Sequence, residues 1–348
     1  MLSDDARALM AKINKRCGDG TLVIASQIPP LPRFTSGSLS LDVMLGGGWP
    51  GNQWIEIVGA ESSGKTTIVH KTIAANQQKD PEFTTLWIAA EGYDQEWAED
   101  LGVDTSRVMV HTTNSMEEAY SAMLEAAESR AVDAIVLDSY PALIAADEDG
   151  KGMDEFSISP GARVTGKFFR KAGQVTKRSM VQEERPLLCI IINQWRDKIG
   201  GFAPHGATPR TSPGGNAKNY AHYVRLDVSR TEWIDEKRPG KGIARCGQVI
   251  KLKTLKNKSA PPQQVASIRF FFADSPSGFR KGDYDTAAET AAMGVLYGVI
   301  SRAGSSGWYS FGEKRWNGEG ALSAAITKDP ELRAQIDTEV HEAIAKAR

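Results

Sequence analysis

The sequence predicts an α/β fold, a mostly parallel sheet flanked by helices, with a short helix-and-strand segment before it and a small α+β unit after it. Three observations carry this. Between about residue 33 and about residue 280, short apolar runs alternate with helical stretches, as in a parallel sheet covered on both faces. The apolar run at 54–58 leads straight into Gly59-Ala60-Glu61-Ser62-Ser63-Gly64-Lys65-Thr66-Thr67 and then a helical stretch. That is the phosphate-cradling pattern G-x-x-x-x-G-K-S/T in its strand–loop–helix setting. The texture then changes near residue 283, which divides the chain into 1–32, a core at 33–282, and 283–348.

Composition narrows the class. A chain of 348 residues suits one large domain with a small one. No apolar stretch approaches the roughly 20 residues of a membrane span, and the N-terminus has no signal-peptide run, so a soluble cytoplasmic protein is expected. Cys17, Cys189 and Cys246 are odd in number and lack metal-ligand spacing, which disfavours a disulfide framework or a zinc site. With a net charge of −1, attraction for nucleic acid must come from local clusters.

The elements follow in order. Ser3 is a helix cap, Asp4 and Asp5 suit a first turn, and Ala6, Leu9, Met10 and Ile13 share one stripe. A short apolar run at 22–25 reads as a strand, and the prolines between 27 and 32 end regular structure. This segment docks either on its own core or on a neighbouring subunit; both remain open. Four buried runs come next, at 54–58, 85–90, 134–137 and 187–192, each ending in polar groups: the phosphate loop, Glu91, Asp138, and Asn193 with Gln194. Ligands of open α/β sheets bind at the carboxyl ends of strands, so these groups are expected to converge. Further strands are expected at 223–228, 248–255 and 267–272. In the tail, helices are expected at 286–300, 322–326 and 330–347, with a hairpin strand at 307–312.

These residues can supply triphosphate hydrolysis. Gly59 and Gly64 permit close backbone approach, and Glu61, Ser62, Ser63 and Thr67 complete the loop and helix start. Lys65 would reach the terminal phosphates, while the Thr66 hydroxyl and Asp138 would hold Mg²⁺. Glu91 is the candidate base; Glu96 and Glu99 rival it but fall on the next helix, where a solvated face explains them. Gln194, neutral and able to donate and accept, suits reading a γ-phosphate.

Gln194 opens onto a long loop rich in glycine, proline and basic residues, reaching to 215, and a second loop segment lies at 145–156, after the Asp138 strand. Two such loops beside one nucleotide site point to a second ligand. Arg163, Lys167, Arg170, Lys171, Lys177 and Arg178 occur with no intervening acid, and Arg196, Lys198 and Arg210 line the long loop. For 163–178 a solvated helix face explains the charges nearly as well as phosphate binding. Phe202, flanked by glycine near the loop's tip, tilts the balance to nucleic acid, since an apolar side chain among cations can insert between bases. Lys251 and Lys253 share a strand face, and Lys256 and Lys258 at its end could reach a phosphate, including a neighbour's.

Together these segments resemble the bacterial RecA recombinase family nearly end to end. The similar motifs are residues 36–42, Gly59 to Thr67, Ala90 with Glu91, residues 101–104, Asn193-Gln194-x-Arg196-x-Lys198-Ile199-Gly200, residues 214–217, and Lys256-Asn257-Lys258. The resemblance implies a RecA-like ATPase core and an ATP- and Mg²⁺-dependent recombinase. Such a protein forms a helical filament on single-stranded DNA and exchanges strands with double-stranded DNA, aided by single-strand-binding and loader proteins at the nucleoid. It also implies that Asp94 and Phe272 flank the adenine and that Lys256 and Lys258 act on a neighbour's ATP. Residues 147–157 and 196–213 would contact DNA together with Gly214, Gly215 and Asn216, and the N-terminal segment would dock on the adjacent subunit.

The departures are Pro204, Pro209 and Pro213 in the second loop, Phe272 where tyrosine is usual, and the lack of a strongly acidic tail. They would suit a phage-encoded or accessory copy. The alternatives are a hexameric helicase-type motor and a nucleotide-gated DNA-binding regulator. The loop motif and Lys256-Asn257-Lys258 disfavour the motor, and Glu91 disfavours the regulator.

Overall fold

A computed structural model describes residues 2–18, 20–150, 160–176, 185–197, 209–238, 240, 242–304 and 307–346. Its centre is an eight-stranded sheet: β1 (Gln53–Gly59), β2 (Thr85–Ala89), β3 (Val108–Thr112), β4 (Ala134–Asp138), β5 (Leu188–Gln194), β6 (Val224–Arg238), β7 (Gly242–Asn257) and β8 (Val265–Phe271). The spatial order is β8-β7-β6-β1-β5-β4-β2-β3. All strands from β6 to β3 run parallel, and β7 alone is antiparallel to its neighbours. The mostly parallel α/β core is therefore as expected.

The helices are α1 (Asp4–Cys17), α2 (Leu39–Leu45), α3 (Lys65–Lys79), α4 (Gln95–Asp100), α5 (Met116–Ser129), α6 (Pro160–Val175), α7 (Gly215–Ala221), α8 (Thr286–Leu296), α9 (Glu319–Lys328) and α10 (Pro330–Lys346). Among the described residues, no helix is long and apolar enough to cross a membrane. Strand alternation sorts the core into two layers. Ile55 and Ile57 face Ile68, Val69 and Ile73 of α3. Trp54, Leu137 and Ile191 face Tyr120 and Met123 of α5 and Phe168 and Phe169 of α6.

Ser3 caps α1 as expected, its hydroxyl accepting from the Ala6 N–H at 3.3 Å. None of the helix's 14 residues is buried, and Leu9 is 57% exposed. The strand expected at 22–25 does not form. The Asn14 amide instead bonds both backbone groups of Leu22, at 2.8 and 2.9 Å, and residues 25–27 make a 3-10 turn. A solitary strand gains nothing without a ladder partner.

Two other expectations need correction. β6 and β7 are longer than the runs expected at 223–228 and 248–255. The last β6 residue paired with β1 is Val228, and the rest of β6 pairs with β7 alone. Register shifts between Arg230 and Glu232 and between Ile234 and Asp235 blur the alternation there. β3 was not expected at all. It lies at the sheet edge with Met109 53% exposed and Val110 41% exposed, so its sequence lacks a buried apolar run.

The C-terminal unit packs α8, α9, α10 and a three-stranded sheet of β9 (Ser301–Ala303), β10 (Trp308–Phe311) and β11 (Lys314–Asn317) around Ile300, Leu322, Ile326 and Ile336. It is less separate than its sequence texture implies, because Leu39 and Val43 of α2 pack against that core. Glu289 of α8 locks the join. Its Oε1 accepts from the Ser38 and Ser40 hydroxyls at 2.6 and 2.9 Å, and its Oε2 from the Leu39 N–H at 3.2 Å, so it caps the start of α2.

Burial outweighs these donors and pushes Glu289 up to about 7. A carboxyl raised in the folded state stabilises the fold fully only below its ordinary 4.5, and that contribution is lost as pH rises to about 7. The wild-type unfolding free energy from urea titration is therefore expected to fall relative to that of Glu289→Gln across that window, by up to ~3 kcal/mol. A pH-independent difference between the two would refute a titrating Glu289.

Candidate nucleotide site and nucleic-acid interface

The parallel ladders bring the strand ends together. Gly59 stands opposite Gln194 across β1 and β5, and Ala89 stands opposite Asp138 across β2 and β4. The phosphate loop joins β1 to α3, whose first residue is Lys65. Two glycines are obligatory. A Cβ at Gly59 would strike the Val228 carbonyl oxygen and lie 2.6 Å from Ser63 Oγ. Gly64 has φ 97°, and a Cβ there would lie 2.7 Å from Ile250 Cδ1. Glu61 and Ser62 are exposed at the loop's tip, while Ser63 and Thr67 are buried beneath it. Lys65 Nζ donates to the Ala60 carbonyl at 2.6 Å; burial lowers its pKa, opposed by Asp138, Glu91 and Glu61.

Around this loop the predicted groups meet. The Thr66 hydroxyl donates to Asp138 Oδ2 at 3.0 Å. Glu91 Oε1 accepts from the Ser139 hydroxyl and, at 3.4 Å, from Gln194 Nε2. The Ala90 and Glu91 N–H groups both donate to the Asp138 carbonyl, at 2.8 and 3.3 Å, which ties the Glu91 segment to the end of β4. Glu91 is exposed, so water can reach it. Of its rivals, Glu96 lies on the exposed face of α4 and Glu99 is engaged by Gln95 and Thr105 at 2.8 Å each.

Burial pushes the Asp138 carboxyl up to about 6, Glu91 adds to the rise, and Thr66 and Lys65 oppose it. One buried carboxylate beside a threonine hydroxyl fits Mg²⁺, which takes one or two protein oxygens and completes its octahedron with water and phosphate.

Asp94 caps α4, its Oδ1 accepting from the Trp97 N–H at 3.0 Å. The half-buried Trp97 ring sits edge-on to Phe270 at 6.1 Å, and Phe272 lies two residues beyond. The start of α4 and the end of β8 thus form one wall. Sequence reasoning passed over Trp97; an aromatic one turn after a strand-end acid was the available signal. It also passed over His70, which stacks on Trp87 at 4.5 Å while Tyr93 stands edge-on to both rings. Burial lowers His70 to about 4, so it is a neutral plate under the 91–94 segment.

Glu56 was also missed, although a charge inside an apolar strand marks it. It is fully buried in β1 and pairs with Lys218 of α7 and Arg225 of β6, both at 2.6 Å. Burial alone would raise its pKa, but His222, charged at the low pH where Glu56 titrates, and then Lys218 and Arg225 hold it down at about 2. His222, lowered by burial to about 3, is neutral beside it at neutral pH.

Of the two loops expected to contact DNA, residues 151–157 and 198–208 lie outside the described residues, with Lys198 and Phe202; so do Lys177 and Arg178. The loop roots are described and they converge. Arg196 and Asp197 pair antiparallel with Thr211 and Arg210. Tyr140, Glu148, Gly161, Arg196, Gly214 and Gly215 line one cavity of about 480 Å³, and Asn216 is exposed beside it. Arg163, Lys167, Arg170 and Lys171 are exposed on α6 opposite the buried Phe168 and Phe169, and Arg163 reaches Asp147 at 2.7 Å.

Lys256 and Lys258 are not brought to this site. Lys256 pairs with Arg225, itself level with Glu56, three residues before Gly59, a distance of about 10 Å along the strand. Its Nζ donates to the Asn219 and Tyr220 carbonyls, at 2.7 and 3.1 Å.

A family model described as the RecA N-terminal domain matches residues 5–277. Protein RecA of Chlorobium chlorochromatii is 34% identical over 330 residues, covering 94% of this chain and 85% of the relative. Protein RecA of Bacteroides thetaiotaomicron is 32% identical over 348 residues, covering 98% and 97%.

Asp138→Asn keeps an acceptor for Thr66 and removes the charge. Its affinity for ATP in magnesium is expected to fall roughly 10–100-fold, with affinity in chelator unchanged. An equal loss in both conditions, by fluorescent-nucleotide titration, would remove Asp138 from the metal role.

Proposed function

The chain belongs to the RecA family, and from that premise we infer that it is an ATP-dependent DNA recombinase, assembling on single-stranded DNA and exchanging strands with a homologous duplex. The observation that carries the mechanism is the contact of Gln194 with Glu91 beside the Thr66–Asp138 pair, since Gln194 is also two residues from the root of the second loop.

Lys65 and the loop N–H groups bind the triphosphate, and Mg²⁺ held by Thr66 and Asp138 supplies charge neutralisation. Glu91 takes a proton from the attacking water. Asp94 and Phe272 flank the adenine. Gln194 exchanges its bond to Glu91 for one to a γ-phosphate oxygen, which displaces the Arg196 root and reports nucleotide state to the loop. Arg163, Arg170, Arg196, Lys198 and Arg210 meet DNA phosphates, Phe202 meets bases, and Gly214, Gly215 and Asn216 bring backbone close to the strand.

Two observations support self-association into a filament. Lys256 and Lys258 lie away from their own phosphate loop, where they can serve a neighbour's. The amphipathic α1 buries none of its residues within its own chain, which favours the neighbour as its dock.

Glu91→Gln is expected to lower DNA-stimulated ATP turnover by about 10²- to 10⁴-fold while leaving ATP-dependent DNA binding intact. Electron microscopy of the same variant with ATP and single-stranded DNA should show stable filaments. Closed rings without filaments would favour the helicase-type motor, and an unaffected turnover would exclude Glu91 as the base.

A further inference from the structure

We propose that Lys218 is a positioning residue: with Glu56 and Arg225 it fastens the root of the second loop to the strand that carries the phosphate loop. The inference rests on the recombinase reading above and adds a residue to its coupling machinery. Glu56 is 0% exposed and the Lys218 side chain 1%, so the pair lies wholly inside the protein. Lys218 Nζ also donates to Ser212 Oγ at 2.6 Å, and the Arg225 guanidinium donates to the same oxygen at 3.1 Å. Asn193 adds a second tie. Its Nδ2 donates to Glu56 Oε1 at 2.8 Å and to the Pro213 carbonyl at 3.1 Å, and its Oδ1 accepts from the Gln194 N–H at 2.9 Å. Ser212 and Pro213 are therefore tied to Glu56 through Lys218, Arg225 and Asn193, and the Glu56 strand reaches the phosphate loop three residues later.

Gly214 has a reason to be glycine in this arrangement. A Cβ there would lie 2.7 Å from Lys218 Cδ, across the path the lysine takes inward.

The physical consequence is rigidity. A buried carboxylate held by cations from two other segments cannot slide without leaving a charge unpaired in a low-dielectric interior. β1, the 212–213 root and α7 thus move as one body. The far end of α7 belongs to that body too, because the carbonyls of Asn219 and Tyr220 hold Lys256 Nζ. A shift set by nucleotide at Gly59 and Gln194 is passed to the DNA loop and to the lysine serving the neighbour without being absorbed between them.

Lys218→Met tests this mildly, since it leaves Glu56 and Arg225 as a balanced one-to-one pair. In the full chain, nucleotide affinity and DNA-free ATP turnover are expected to stay unchanged. The ratio of single-stranded DNA affinity with a non-hydrolysable ATP analogue to that with ADP should fall about tenfold, and Lys218→Arg should restore part of it. A folded Lys218→Met variant with the wild-type ratio, or with equal loss in both nucleotide states, overturns the proposal.

A second measurement needs no variant. Amide hydrogen exchange at Arg210, Thr211 and Ser212 of the wild-type chain should slow on adding the ATP analogue without DNA, and unchanged exchange there also overturns the proposal. A wild-type chain whose DNA affinity ignores nucleotide altogether overturns the recombinase reading with it, and is seen before any variant is compared.

Discussion

Gly59 pairs with Gln194, and Ala89 with Asp138, in parallel ladders that cross the centre of the sheet. A slip of one residue between β4 and its neighbours would move Asp138 by about 3.3 Å and turn its side chain to the other face, ending its bond to Thr66. The groups around the phosphate loop come from separate strands and have no local means of finding one another. Their meeting is a property of backbone register, which the apolar side chains on both faces of β1, β4 and β5 enforce.

Those strands were legible for the same reason. A run buried on both faces needs no alternation to be recognised, and the phosphate loop shows itself by a local spacing of glycines and lysine, even though the walls that exclude a Cβ at Gly59 and Gly64 are the distant Val228 and Ile250. What escaped notice depends on distance or on solvent. β3 shows Met109 and Val110 to water at the sheet edge, so its apolar pattern is incomplete. Glu56 finds Lys218 and Arg225 across 162 and 169 residues, a pairing no local pattern contains. The strand expected at 22–25 failed in the opposite sense: its composition suits a strand, but a ladder needs a second strand, and Asn14 offers the backbone a nearer partner.

Glu56 and Glu289 are both buried carboxyls, yet they end in opposite protonation regimes. Glu56 has two cations at 2.6 Å and its pKa is held down, whereas Glu289 has two hydroxyls and an N–H and its pKa rises. Burial sets the scale of the shift, and the charge of the partners sets its sign. The core thus joins its loop root through an ionic contact and its C-terminal unit through a neutral, proton-sensitive one. The two joins answer to different solution conditions.

The placement of Lys256 and Lys258 away from Gly59 has a consequence for counting. On the proposed reading each subunit carries half a site at one end and the complementary half at the other. Such a subunit cannot complete itself in a two-fold dimer, because like ends would meet. In an open chain of n subunits the number of whole sites is n − 1, so one terminal subunit always holds nucleotide without its neighbour's lysines. Hydrolysis and turnover would then differ between the interior and that end. The assembly acquires a direction in time as well as in space.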